Sequence, residues 1–193
     1  MTKLLDKIEV PQDRFELRLS GSGGQGMIFA SVILGEAIGL AEGKNVVQSQ
    51  SYGPEARGGA SKSDVVVSAN EIFYPKAMKL DLLLAMTQES MDKYYGDLKE
   101  DGILIVDTSL VTEIPTDKYY GFEFTRLARH EIGHIMVANV IALGAIAGAT
   151  GIVSLESVTN AVIARAPKGT EDKNRKAVKL GYDEALKLKE KNK

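Results

Sequence analysis

From Ile135 to Val153 the chain reads IMVANVIALGAIAGATGIV, without one charged residue. A run of this length approaches a membrane span, and Gly144 and Gly148 have the GxxxG spacing that lets helices approach closely. Asn139, Thr150 and the many alanines and glycines dilute its hydrophobicity, and no aromatic belt brackets it. The segment is therefore expected to be a buried, closely packed core helix, with no membrane crossing.

The remaining pattern alternates between strand and helix. Residues 15–20 (FELRLS) alternate and lead into GSGGQG, after which Met27 to Leu40 has helical apolar spacing. A strand is predicted over Asn45–Ser51, then a glycine-rich loop from Tyr52 to Ala60 (YGPEARGGA) and a strand over Ser63–Ser68. Asp81–Met86 (DLLLAM) reads as a buried strand, with Thr87 and Glu89 starting a helix that ends near Gly96. Gly102–Val106 suits a central strand covered on both faces, and Gly121–Thr125 an edge strand. After a helix over Ser154–Ala164, Pro167 and Gly169 break the pattern. The Lys- and Glu-rich tail then places Val178, Tyr182, Ala185 and Leu186 on one face, for packing or for docking a partner. This order predicts an α/β fold, a Rossmann-like three-layer α/β/α sandwich with a mostly parallel sheet. It forms one domain over 1–193, with a core over 14–165 and a charged C-terminal helix over 170–193. Loops after Ser20, Ser51, Met86 and Val106 should converge at the carboxyl ends of the strands, where such folds collect ligands.

Charge and composition exclude several partners. Lys and Arg number 24 against 26 acidic residues, a formal charge of -2, so no global field draws the chain to nucleic acid or an anionic membrane. The absence of cysteine excludes a thiolate-held iron–sulfur cluster here; any such cluster must sit on a partner. The opening MTKLLDKIEV lacks the apolar core of a signal peptide, so a cytoplasmic chain is expected.

The glycine turn matches G-x-G-x-x-G at Gly21, Gly23 and Gly26, with Gly24 and Gln25 inside it; amides at such a helix start bind anions. A dinucleotide site also needs an acid at the end of the second strand, where this chain has Gln48, Ser49, Gln50 and Ser51. That argues against NAD and leaves tight packing, anion binding or partner contact. In the second loop Pro54 stiffens a turn, Gly58 and Gly59 permit shapes closed to other residues, and Arg57 offers a fork for carboxylate or phosphate. Alternatively, Arg57 pairs with Glu55 on the surface. His130, Glu131 and His134 satisfy H-E-x-x-H, with Glu156 in range as a third ligand, yet they sit at the mouth of the buried helix; a chance match is the better reading. For Asp107 a turn or helix cap is the better reading over a ligand contact, and for Asn139 a satisfied core amide or an interface contact over a catalytic group. No nucleophile–base arrangement, Walker loop or G-D-G thiamine motif is present.

Taken together, GSGGQG after the first strand, QSQSYGPEARGGASKSDVVVS, and an Asn-containing apolar helix ending at Thr150-Gly151 resemble the gamma subunit of the 2-oxoacid:ferredoxin oxidoreductases, over residues 14–165. The resemblance implies a multi-subunit, CoA-dependent enzyme that decarboxylates a 2-oxoacid on thiamine diphosphate. Its electrons pass through iron–sulfur clusters to ferredoxin or flavodoxin. Its gamma chain binds no cofactor alone and is inactive alone, and works with thiamine-binding and ferredoxin-like chains, completing their thiamine and CoA cleft. The residues implied at that cleft are Gly21, Gly23, Gly24, Gln25 and Gly26, with Tyr52, Gly53, Pro54, Glu55, Arg57, Gly58 and Gly59. Ala56-Arg57-Gly58-Gly59-Ala60-Ser61 is similar to the 2-oxoglutarate type, with succinyl-CoA as product. Pyruvate, another 2-oxoacid, or a stand-alone nucleotide-binding reductase are the alternatives.

Overall fold

The computed structural model of the chain describes residues 13–50 and 59–191. Six strands form one sheet: β1 (Phe15–Ser22), β2 (Asn45–Gln50), β3 (Ala60–Ser68), β4 (Leu80–Ala85), β5 (Leu98–Asp107) and β6 (Tyr120–Phe122), in the order β2-β3-β1-β4-β5-β6. β4 pairs in parallel with β1 and β5, and β5 with β6, whereas β3 runs antiparallel to both β1 and β2. Only β3 opposes the common direction, as expected of a mostly parallel sheet. β2 returns directly into β3, so this pair is antiparallel and β3 fills the place beside β1.

One face of the sheet carries α1 (Met27–Glu36), α4 (Ala138–Thr150), α5 (Leu155–Arg165) and α6 (Glu171–Lys191), packed on Phe15, Leu17, Leu19, Leu82 and Leu84. The other carries α2 (Gln88–Tyr94), whose Met91 and Tyr94 meet Leu83, Ala85, Leu104 and Val106. With both faces covered, alternating FELRLS is buried throughout. Its Arg18 is held by Asp64 at 2.7 and 2.9 Å, by Asp97, and against the Tyr94 ring at 5.1 Å. Burial alone would lower the guanidinium pKa, but hydrogen bonds to Asp64 and Asp97 leave it raised, so the buried charge stays paired. Asp107, the last residue of β5, turns the chain through Oδ1, which accepts from Ser109 N–H at 3.0 Å, the turn role expected of it. Its Oδ2 accepts from Thr125 N–H at 3.0 Å in the short helix α3 (Phe124–Leu127), whose own N-cap, Glu123, makes no side-chain cap bond.

Every residue of α4 is buried. It can be so because α6 crosses it backbone to backbone. A Cβ built on Gly144 would lie 2.0 Å from Val178 O, one on Gly148 2.8 Å from Tyr182 O, and one on Gly181 1.8 Å from Ile141 O. The GxxxG run thus serves a helix pair in a globular core, and among the described residues no helix is long and apolar enough to cross a membrane. The tail packs along Asn174, Ala177, Val178, Gly181 and Ala185, while Leu186, expected on that face, is 38% exposed.

The end of α1 is tied to α5 at the surface. Glu36 receives Arg165 Nε and Nη2, each at 2.6 Å, and Glu42 Oε1 accepts from Ser154 N–H at 3.0 Å. Arg165 holds the Glu36 carboxyl below its ordinary 4.5, and the Ser154 amide does the same for Glu42. A lowered folded-state value stabilises above the ordinary pKa and is lost as pH falls below it. Glu42→Gln should therefore flatten the fall in melting temperature between about pH 5 and 3; an unchanged slope would separate this contact from acid stability.

Gly181→Val should destabilise the chain by about 3 kcal/mol or more in denaturant titrations, since its side chain would overlap the α4 backbone. Gly96→Ala, where a Cβ meets nothing within 4 Å, should stay within about 0.5 kcal/mol.

Candidate functional site

β1, β2, β4, β5 and β6 share one direction, so their carboxyl ends share one edge. The glycine turn occupies its middle. Gln25 folds back so that its Oε1 accepts from Ser22 N–H at 2.8 Å, while Gln25 N–H donates to Ser22 O at 3.2 Å. Gly21 is needed there, because a Cβ would meet Gln25 Oε1 at 2.3 Å and Met86 Cβ at 3.1 Å. Gly26 is the N-cap of α1 in the left-handed region (φ 73°), and a Cβ on it would lie 2.6 Å from Asn139 Nδ2. Gly23 and Gly24 are exposed at the tip. α1 has no side-chain cap and no acid in its first turn, which leaves its initial amides directed at this edge.

Tyr52, Gly53, Pro54, Glu55, Arg57 and Gly58 lie outside the described residues. Their flanks are described. β2 ends at Gln50, and Ala60 opens β3 paired with Ser22, so both ends of that loop reach the edge that carries the glycine turn. Gly59, at φ 111°, stands with its would-be Cβ 3.3 Å from Glu89 Oε1. Thr87, which caps α2 through Ser90, follows β4 on the same edge.

A dinucleotide site does not fit. β3 stands between β1 and β2, which moves the end of β2 about 10 Å from β1, twice the usual spacing between neighbours. Gln48, near that end, donates to Ser63 Oγ at 2.7 Å and Ser31 Oγ at 3.2 Å, so its amide joins α1, β2 and β3. The zinc pattern fails on local geometry: Ala128–Ile132 forms a π-helical turn stopped by Gly133 at φ 74°, and His134 is extended. His130 and His134 therefore share no helix face, as the i,i+4 ligand pair requires. Burial pushes the Tyr120 phenol up to about 12.

Asn139 is a core amide, one of the two readings given for it. Its Nδ2 donates to Gly26 O at 3.2 Å, which ties α4 to the glycine turn, while its buried Oδ1 has no partner among the described residues. The signal available was an amide standing in the middle of an uncharged run.

The geometry defines an α/β domain with a glycine turn in the middle of the carboxyl edge of its sheet and without the acid that holds a nicotinamide dinucleotide. The chain belongs to the pyruvate ferredoxin/flavodoxin oxidoreductase family, whose model matches residues 16–184. It is 50% identical over 182 residues to the 2-oxoglutarate synthase subunit KorC of Methanocaldococcus jannaschii, covering 91% of this chain and 96% of that protein. The pyruvate synthase subunit PorC of Methanothermobacter marburgensis is 28% identical over 171 residues, covering 87% and 96%. Among solved structures, the keto/oxoacid ferredoxin oxidoreductase gamma subunit of Geobacter sulfurreducens superposes with a TM-score of 0.83 at 46% identity, covering 90% of this chain and 97% of that one.

Gly26→Ala should cost the isolated chain about 1–3 kcal/mol in denaturant titration, because it adds strain at positive φ and a clash with Asn139. An unchanged midpoint would mean the turn rearranges freely.

Proposed function

We propose that this chain is the gamma subunit of a multi-subunit, CoA-dependent 2-oxoglutarate:ferredoxin (or flavodoxin) oxidoreductase, which converts 2-oxoglutarate to succinyl-CoA. The observation that carries the reading is the near full-length match to a 2-oxoglutarate synthase subunit at 50% identity, against 28% for a pyruvate synthase subunit. With no cysteine and no thiamine motif, the chain leaves clusters and thiamine diphosphate to its partners. Its own part is positional: as one gamma domain, it brings the glycine turn of Gly21–Gly26 and the loop of Tyr52–Gly59 to the cleft of a thiamine-binding chain. Bare amides at the start of α1 favour an oxyanion there, and glycines let a cofactor or a partner backbone come close. Arg57 adds a fixed charge with fork geometry.

The pure chain should show no 2-oxoglutarate-dependent reduction of an acceptor, and should support it once thiamine- and cluster-bearing subunits are added. In the reconstituted enzyme Arg57→Ala should weaken CoA use or assembly about tenfold or more, the loss of one charge-assisted contact, and Arg57→Lys should recover only part of it. Turnover by the pure chain would overturn the reading; Arg57→Ala with assembly, CoA dependence and rate all unchanged would remove the loop from the site.

A further inference from the structure

The carboxyl edge of the sheet also carries a projection. Residues 129–136 (RHEIGHIM) leave the π-helical turn Ala128–Ile132 at Gly133 and enter the 3-10 turn Ile135–Val137, which leads into α4. All of them except Ile132 are exposed. Ile135 and Met136, at 45% and 55%, put two large apolar side chains into solvent, while Val137 beside them is buried. Asn139, three residues past Met136, is bonded to Gly26, so the projection stands beside the glycine turn. Two further exposed apolar side chains share this edge: Phe29, in the first turn of α1, and Leu110, next to the Ser109 whose Oγ accepts from Arg126 N–H at 3.3 Å.

The backbone of the projection is fixed. His134 N–H donates to Ala128 O at 3.0 Å, Val137 N–H to His134 O at 3.2 Å, and Lys176 of α6 reaches Glu131 O at 2.9 Å. Exposed apolar side chains on a backbone held in this way gain by being covered and lose little freedom when they are. Their surroundings are cationic. Arg126 is paired with Glu123 at 2.6 Å, whereas Arg129 has no ion-pair partner among the described residues, so Arg129 and Lys176 outnumber Glu131 around the apolar pair. A second copy of the chain suits this surface badly, because a two-fold contact would set Arg129 against Arg129. A pair of side chains also covers less than the roughly 800 Å² per partner of a stable interface. The projection must belong to a wider contact, and the glycine turn lies next to it.

We infer that residues 129–136 anchor this chain on the thiamine-binding subunit: Ile135 and Met136 enter an apolar notch of that subunit, and Arg129 meets carboxylates on the rim of the notch. The inference rests on the gamma-subunit reading and assigns the partner contact of that edge to named side chains. It also places the string HEIGH on a contact surface.

Ile135→Asp, Met136→Asp and Arg129→Glu are made in the full chain, with Phe73→Asp as the control, since Phe73 is 87% exposed in the β3–β4 connection at the opposite edge. Each is titrated against the partner subunits assembled without the chain, and the melting temperature of each variant alone is measured. Both apolar-to-Asp variants should raise Kd about thirtyfold or more, as for a central interface anchor. Their melting temperatures should stay within about 2 °C of the parent, as for surface substitutions. Arg129→Glu should slow association about threefold or more at low salt, and Phe73→Asp should leave Kd within about twofold. Met136→Gln, close in size to the parent, replaces any Asp variant that melts lower, and should raise Kd about tenfold. Kd within about twofold of the parent for the Ile135 and Met136 variants would overturn the inference, as would an equal loss from Phe73→Asp or unchanged association of Arg129→Glu. If the parent chain restores turnover and these variants bind as it does, the inference falls and the gamma-subunit reading stands; if the parent itself does not bind the partner subunits, that reading falls as well.

Discussion

The rest of the structure depends on the glycine-to-backbone contact between α4 and α6. α4 has no polar face to offer solvent, so it must be covered on every side. α6 is its principal cover, at a separation that Gly144, Gly148 and Gly181 permit, and the sheet face with α1, α3 and α5 covers the rest. Close backbone packing of this kind gains many small dispersion contacts and leaves little room for relaxation, so even one methyl is felt there. The charged tail is thereby part of the domain, with its Lys and Glu side chains turned outward.

Fixing α4 also fixes where it begins. Its start lies against the N-cap of α1 through Asn139 and Gly26, so the packing of the core sets the position of the glycine turn. The antiparallel β3 completes the arrangement, since its first residue, Ala60, pairs with the last of β1 and so begins at the same edge. Core packing therefore reaches the carboxyl edge of the sheet through one helix, buried along its length and bonded to the glycine turn through its first turn.

Much of this was legible because local chemistry and tertiary context agree. GILIV reads as a doubly covered strand and Thr87 as the cap of the helix it precedes, and each does so in the fold; the helix predicted from Ser154 starts there, with Ser154 as its cap. The reversal of β3 was less accessible, since SDVVVS carries no mark of direction and only the return from β2 decides it. Leu186 was misplaced because the buried stripe of α6 follows its small residues, chosen by the crossing with α4, and not its largest apolar ones. HEIGH misleads as a string: Gly133 ends the turn between the histidines, and spacing along a chain means a shared face only where the chain stays helical. The half-satisfied state of Asn139 depends on which carbonyl its amide meets, which periodicity does not encode.

The central claim is that the glycine-lined edge, and no other surface, faces the catalytic interior of the complex. Amide hydrogen exchange, compared between the chain alone and the chain with its partner subunits, tests this most directly. The account predicts slowed exchange on assembly at Gly23, Gly24 and Gly26 and along Gly59–Ser61, with the buried amides of α4 slow in both states. Protection confined to the outward face of α6 or to the opposite edge of the sheet, with the glycine turn exchanging as freely as before, would contradict it.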